Sequence, residues 1–286
     1  MKDIKYLKNL CTQVRRDILR MVNCANSGHP GGSLGCTEYF VALYKKIMKY
    51  SIKEFNPDGI GEDIFFLSNG HISPVYYSVL ARLGFFSIKE LSSFRKINSR
   101  LQGHPTNHNG LPGIFISSGS LGQGMSISIG AALAKKLNGD SRLIYSLCGD
   151  GELNEGQIWE AVLYAGSKCI DNYIATIDFN GKQIDGNTED VLPLGNLKKK
   201  FKSFKWKVLE EKEGNNLEKV INILKKGKFL SKKGKPILII LHTKMGYGID
   251  FMENKYIWHG RPINNIELKK ALKQQPETLG DFPIKN

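Results

Sequence analysis

A strand, a Gly-Asp-Gly turn, a helix, a second strand and an Asn together constrain this chain more than any other feature. Residues 142–148 (Arg-Leu-Ile-Tyr-Ser-Leu-Cys) form a short apolar run of the kind that fills a buried parallel strand. Gly149-Asp150-Gly151 follows. Glycines let the chain turn sharply and let its backbone come close to a ligand. Residues 155–166 read as a helix with Ile158, Trp159, Val162 and Leu163 on one face. Residues 173–178 (Tyr-Ile-Ala-Thr-Ile-Asp) read as the next strand, and Asn180 lies just beyond it. A right-handed crossover puts both strand C-termini on one edge of a sheet, the edge where open α/β sheets bind ligands. Asp150 and Asn180 are therefore expected side by side. One carboxylate and one amide oxygen suit a hard cation such as Mg2+. That ion takes oxygen ligands at about 2.0–2.1 Å and typically keeps positions for phosphate oxygens.

The rest of the chain repeats the alternation. Helices are expected at 4–24, 35–49, 74–83 and 121–137, the last stopped by Asn138-Gly139. Strands are expected at 63–68, 204–209 and 236–242, with a Lys-rich helix at 217–226 between the last two. Residues 95–113, rich in Asn, Gly, Pro and His, read as an irregular loop. The fold class is α/β, a mostly parallel sheet with helices on both faces. With no repeat and no long linker, residues 1–286 are expected to form a single diphosphate- and Mg-binding domain. About 263–286 would be a terminal extension or interface strap, its last dozen residues a polar tail.

Composition excludes several classes. No run reaches the 18 apolar residues of a membrane span, and the start lacks an apolar signal region, so a cytoplasmic protein with no membrane partner is expected. Five scattered cysteines without a Cys-x-x-Cys pair read as reduced thiols. The net charge of +14 invites a nucleic-acid reading. However, only eight of the 41 basic residues are Arg, the residue that dominates base and phosphate recognition. The lysines also sit in dispersed, Asn- and Ile-rich segments, so no nucleic-acid partner is expected. The same positive field would draw anionic sugar phosphates.

Four of six histidines stand beside glycine: His29, His71, His104 and His259. Near element ends they suit proton transfer and hydrogen bonds to a polyhydroxylated substrate. His108 reads as a loop residue and His242 as a strand end. Residues 118–124 (Ser-Gly-Ser-Leu-Gly-Gln-Gly) expose backbone ahead of a small-residue helix, an arrangement that favours anionic ligand groups.

Gly-Asp-Gly followed about thirty residues later by Asn resembles the thiamine diphosphate signature. Asn26-Ser-Gly-His-Pro-Gly-Gly, Leu67-Ser-Asn-Gly-His71, Gln102-Gly-His-Pro105, Gly119-Ser-Leu-Gly-Gln-Gly124 and Gly149-Asp-Gly-Glu-Leu-Asn-Glu-Gly156 stand in the order found in the amino-terminal domain of transketolase. The resemblance runs from about residue 10 to 262 and implies a thiamine diphosphate-binding fold. It implies Mg2+ (or Ca2+ or Mn2+) held by Asp150, Asn180 and the main-chain carbonyl of Lys182. His71, Gly151 and His259 would neighbour the diphosphate. Gly149, Glu152 and the loop Gly119, Ser120 and Leu121 would border the cofactor, with Ser120 where many transketolases have Pro. His29, His71, His104 and His259 would line the substrate channel as catalytic residues. Glu155 would face the subunit interface and the partner's activating Glu.

Transketolase carries further domains, which supply the pyrimidine site and the substrate phosphate clamp, and no segment here resembles them. The resemblance thus implies the amino-terminal subunit of a split enzyme. Its partner would be a carboxy-terminal transketolase subunit, its substrates sugar phosphates, and its assembly a homo- or heterotetramer. It would transfer a two-carbon ketol unit in the pentose phosphate pathway and be inactive alone. Two rival readings are a component of deoxyxylulose phosphate synthase or a 2-oxoacid dehydrogenase, and a non-catalytic binding subunit.

Overall fold

The computed structural model describes residues 2–52 and 55–284. A long first helix, α1 (Lys2–Ala25), precedes two short ones, α2 (Pro30–Gly35) and α3 (Thr37–Ala42), and a π-helical turn, Leu43–Ile47. Strand β1 (Ile64–Leu67), α4 (Ser73–Leu83) and α5 (Gln123–Leu137) follow. The central unit is β2 (Ile144–Gly149), α6 (Gly156–Ser167) and β3 (Tyr173–Phe179). A small hairpin, β4 (Lys182–Gln183) and β5 (Gly186–Asn187), leads into α7 (Thr188–Val191) and α8 (Leu197–Ser203). The chain then forms β6 (Lys207–Glu211), α9 (Leu217–Leu230), β7 (Ile237–His242) and α10 (Asn265–Gln274).

Five strands form one parallel sheet in the order β1-β2-β3-β7-β6. Strand residues alternate between two apolar layers, as the two-residue period of a strand requires. Tyr145, Leu147, Ile174, Ile237 and Ile239 pack beneath α1, α3, α4 and α9. Ile144, Cys148, Tyr173, Ala175 and Ile177 pack against residues of α5, α6 and α8. Helices thus cover both faces. The buried strands read as continuous apolar runs because neither face meets water.

Two local expectations shift. The single helix expected at 35–49 is instead α2, α3 and the π turn, starting earlier at Pro30. A side chain at Gly31 would lie 2.7 Å from the Trp258 carbonyl oxygen and one at Gly35 2.9 Å from that of Lys244, so α2 sits hard against the segment after β7, and Cys36 leaves the helical region at φ −91°, ψ 4°. The strand expected at 204–209 begins at Lys207. Lys205 turns left-handed (φ 67°), and the Trp206 indole docks on the Val162 carbonyl at 2.9 Å.

After α10, whose start is held by a reciprocal Asn264–Glu267 capping box, residues 278–282 lie along α1. Arg16 holds the Asp281 carboxylate through two N–H donors at 2.9 and 2.6 Å, and Phe282 is buried. Beneath them the buried Asp17 accepts a two-point contact from Arg82, both bonds 2.8 Å. Among the described residues no helix is long and apolar enough to cross a membrane.

Candidate active site

The C-terminal ends of β1, β2, β3 and β7 open onto one cavity of about 410 Å³. Asp150 follows β2 directly, at the head of a 3-10 turn over Gly151–Asn154. Its carboxylate accepts N–H bonds from Gly151 (2.8 Å) and Gly181 (2.6 Å). That second bond ties the turn after β2 to the turn after β3, so Asp150 and Asn180 do meet, as the spacing predicts. The Asn180 oxygen accepts from the Lys182 backbone N–H at 2.9 Å.

Asp150 is 1% exposed. Burial, then the nearby charge of Asp178, pushes its pKa up to about 7, and only backbone N–H groups oppose them. Burial also raises the Asp178 carboxyl. The Asp150 carboxylate and the Asn180 amide oxygen form a donor set suited to a hard divalent ion, and the second buried carboxylate, Asp178, adds negative charge behind them. Among the described residues no cluster of three or more His, Cys, Asp or Glu could hold a metal by itself. Magnesium needs no such cage, because it usually takes one or two carboxylates and completes its shell with phosphate or water.

The four glycine-flanked histidines converge on the same cavity. His29 precedes α2, His71 sits on the 3-10 turn after β1, His104 rises from the 95–113 loop, and His259 follows the 3-10 turn Tyr256–Trp258. Ring centroids are 5.0 Å apart for His29 and His71, 4.9 Å for His71 and His259, and 5.7 Å for His29 and His259. His104 is 6.4 Å from His29. Burial lowers all four pKa values, that of His29 to about 4, with His259, Arg95 and His104 adding to the effect there. The rings are therefore neutral at pH 7 and can each donate and accept a hydrogen bond. The Nδ1 atoms of His29 and His259, the Asn69 oxygen and the Gln183 amide nitrogen are buried without partners. Buried polar groups are rarely left so, and a bound polar molecule would satisfy them.

Gly119, Leu121, Gly149, Gly151, Glu155 and Lys182 also line the cavity. Gly119 needs its left-handed φ of 143°, and a side chain there would press on the His104 ring at 3.1 Å. Glu155 is exposed at the head of α6, its side chain making no cap bond. Glu152 borders the cavity, yet its carboxylate is committed to protein: it accepts from Ser68 Oγ (2.5 Å), Gly122 N (2.7 Å) and Gly149 N (3.1 Å). It thereby ties the residue after β1, the turn at Gly122 and the end of β2 together behind the cavity. Ser120 is exposed and is not brought into the cavity, since the turn at Gly119 directs it to solvent. His108 is exposed, and His242 bonds Glu210 at 2.9 Å away from the cavity. Asp178, Gln183 and Met245 line the site although no sequence motif singles them out, and Asn69 lines it from within the Leu67–His71 motif, which draws attention only to His71. Asp178 had a signal: a carboxylate closing an apolar strand two residues before Asn180 shares its side of the sheet edge.

Known proteins share this fold. Residues 7–280 match the family described as "Transketolase, thiamine diphosphate binding domain". A 6-deoxy-6-sulfo-D-fructose transketolase subunit of Clostridium sp. (strain MSTE9) is 35% identical over 268 residues, covering 94% of this chain and 95% of its own. One of the subunits of the apulose-4-phosphate transketolase of Actinobacillus succinogenes is 35% identical over 270 residues, with 94% and 95% covered. The solved transketolase of Campylobacter jejuni superposes with a TM-score of 0.88 at 32% identity, over 98% of this chain and 44% of that one. The chain thus spans less than half of the single-chain transketolases it matches. These relatives decide against a deoxyxylulose phosphate synthase or 2-oxoacid dehydrogenase component. Fold, motif order and relatives converge, and the chain belongs to the thiamine diphosphate-binding domain family of transketolases.

Proposed function

We propose that this chain is the cofactor-anchoring subunit of a two-chain transketolase. With a separate carboxy-terminal subunit it would transfer a two-carbon ketol unit from a ketose phosphate to an aldose phosphate. The observation that carries this reading is the convergence of Asp150, Asn180 and four neutral histidines on one cavity. Relatives of matching length, themselves named as transketolase subunits, support the two-chain arrangement. When bound, thiamine diphosphate supplies the carbanion chemistry that moves the ketol unit; the protein supplies binding, orientation and electrostatics.

Asp150, the Asn180 amide oxygen and the main-chain oxygen of Lys182 would hold Mg2+, for which Ca2+ or Mn2+ could substitute. His71, Gly151 and His259 would neighbour the diphosphate, and Gly149, Gly119 and Leu121 would border the cofactor. Neutral His29, His71, His104 and His259 would bind donor hydroxyls and relay protons, a role that a ring fixed in its charged form could not fill. The exposed Glu155 would meet the partner. Two copies of each chain would form a cytoplasmic heterotetramer of the pentose phosphate pathway.

The test is calorimetric titration of thiamine diphosphate into the chain, together with its co-purified partner, with and without Mg2+. Binding should require Mg2+ and vanish in Asp150→Ala. Mg2+-independent binding, or binding untouched by that substitution, contradicts the assignment.

A further inference from the structure

Asp178 is the second carboxylate of the site, 2% exposed at the end of β3. It lies on the strand side of Ile174 and Thr176, the side that also carries Asn180. One oxygen accepts from the Thr243 hydroxyl, just past β7. The other accepts from the Asn180 amide nitrogen at 2.8 Å. An ionised carboxylate only accepts, whereas an Asn side chain has one accepting and one donating end. Asp178 at one end and the Lys182 N–H at the other therefore set which way round the Asn180 amide sits. Its NH2 must face Asp178, and its oxygen must face the other way, where it meets the Lys182 N–H beside the Asp150 turn. Without this acceptor only the Lys182 N–H opposes the amide turning over to present nitrogen, which is no ligand for a hard cation.

We propose that Asp178 is a positioning residue for the divalent cation, acting through Asn180 by fixing its amide with the oxygen toward the ion. The proposal rests on the reading of Asp150 and Asn180 as cation ligands. Outer-sphere partners of this kind typically change metal affinity 10–100-fold when removed. The mechanism also separates orientation from charge. In Asp178→Asn the new amide can keep its oxygen toward Asn180 and donate its NH2 to the Thr243 hydroxyl, so orientation survives although the charge is gone. In Asp178→Leu the acceptor is lost at similar volume.

The experiment is Mn2+ titration by electron paramagnetic resonance, with thiamine diphosphate present, on full-length wild type, Asp178→Leu, Asp178→Asn, Asn180→Ala and the Leu/Ala double variant. Circular dichroism and thermal melting report folding. Asp178→Leu should weaken Mn2+ by about tenfold or more, while Asp178→Asn should stay within about threefold. In the Asn180→Ala background the Leu substitution should add nothing, because residues acting as one unit are non-additive. Equal weakening by Asn and Leu, or additivity with Asn180→Ala, overturns the positioning role. Should Asp178→Leu not fold, Asp178→Asn still decides: weakening beyond threefold overturns the proposal. Wild type that binds no Mn2+ defeats the ligand assignment itself; wild type that binds and is indifferent to Asp178→Leu defeats only this proposal.

Discussion

Replacing Asp150 with Asn should change stability in opposite directions at two pH values. The Asp150 pKa rises from 3.8 to about 7 on folding, through burial and the charge of Asp178. A carboxyl raised in this way favours the folded state when protonated, so its contribution is lost as pH climbs from about 4 through about 7. At about 1.4 kcal/mol per pKa unit, the ionised group disfavours the cation-free fold by about 4 kcal/mol at pH 8. Asparagine removes that penalty but can accept only one of the N–H bonds from Gly151 and Gly181, at a loss of about 1–3 kcal/mol. In EDTA at pH 8 the variant should therefore be about 1–3 kcal/mol more stable than wild type. Its melting temperature should be higher by about 2–4 °C for each kcal/mol. At pH 4 the carboxyl is protonated in the folded state and close to half protonated in the unfolded chain, the penalty falls to about 0.6 kcal/mol, and the order should reverse. Adding Mg2+ and thiamine diphosphate at a hundred times the dissociation constant should stabilise wild type by about 2.7 kcal/mol and the variant not at all. Thermal melts at the two pH values provide the assay. A variant less stable at both, by a margin independent of pH, would refute the reasoning.

Three further variants have expected outcomes. His29, buried as a neutral ring with a pKa near 4, contributes stability above about pH 6.5 that is lost as pH falls toward 4; in His29→Gln, pH-dependent denaturant melts should show a shallower loss. The same variant should lower kcat/KM of the assembled enzyme about 10²–10⁴-fold if the ring relays protons, read by coupled assay. Glu152→Gln leaves one of the three donors from Ser68, Gly122 and Gly149 facing an NH2 group. It should lose about 1–3 kcal/mol and bind cofactor more weakly, measured by urea melts and calorimetry. Arg82→Ala strands buried Asp17 and should cost about 3–5 kcal/mol, while cofactor affinity per folded molecule stays unchanged.

The β2–α6–β3 unit was legible because a strand's two-residue period, the Gly-Asp-Gly turn and the crossover rule all act locally. Those rules bring Asp150 and Asn180 to one edge without knowledge of the rest of the chain. The glycine-flanked histidines were legible as element ends, although only the tertiary fold sets their 4.9–6.4 Å spacing. What the sequence hid depends on distant backbone. The break between α2 and α3 falls at Cys36, next to Gly35, which packs against the segment after β7, and a Pro-Gly-Gly run read alone gives no sign of that neighbour. Glu152 read as a cofactor neighbour because it stands beside Asp150. Its three partners come from the residue just past β1, the Gly119–Gly122 loop and the end of β2, so its bracing role emerges only on folding. Asp178 read as the polar close of an apolar strand, and its hold on Asn180 depends on Thr243, 65 residues further along.

The most direct test of the two-chain account is ketol transfer by material purified natively from the chain's own cells, with Mg2+ and thiamine diphosphate supplied. The account predicts activity only when a second polypeptide co-purifies, none from the isolated chain, and none from the complex carrying Asp150→Ala. Activity from the rigorously purified chain alone, or an active complex with Asp150→Ala, would contradict it.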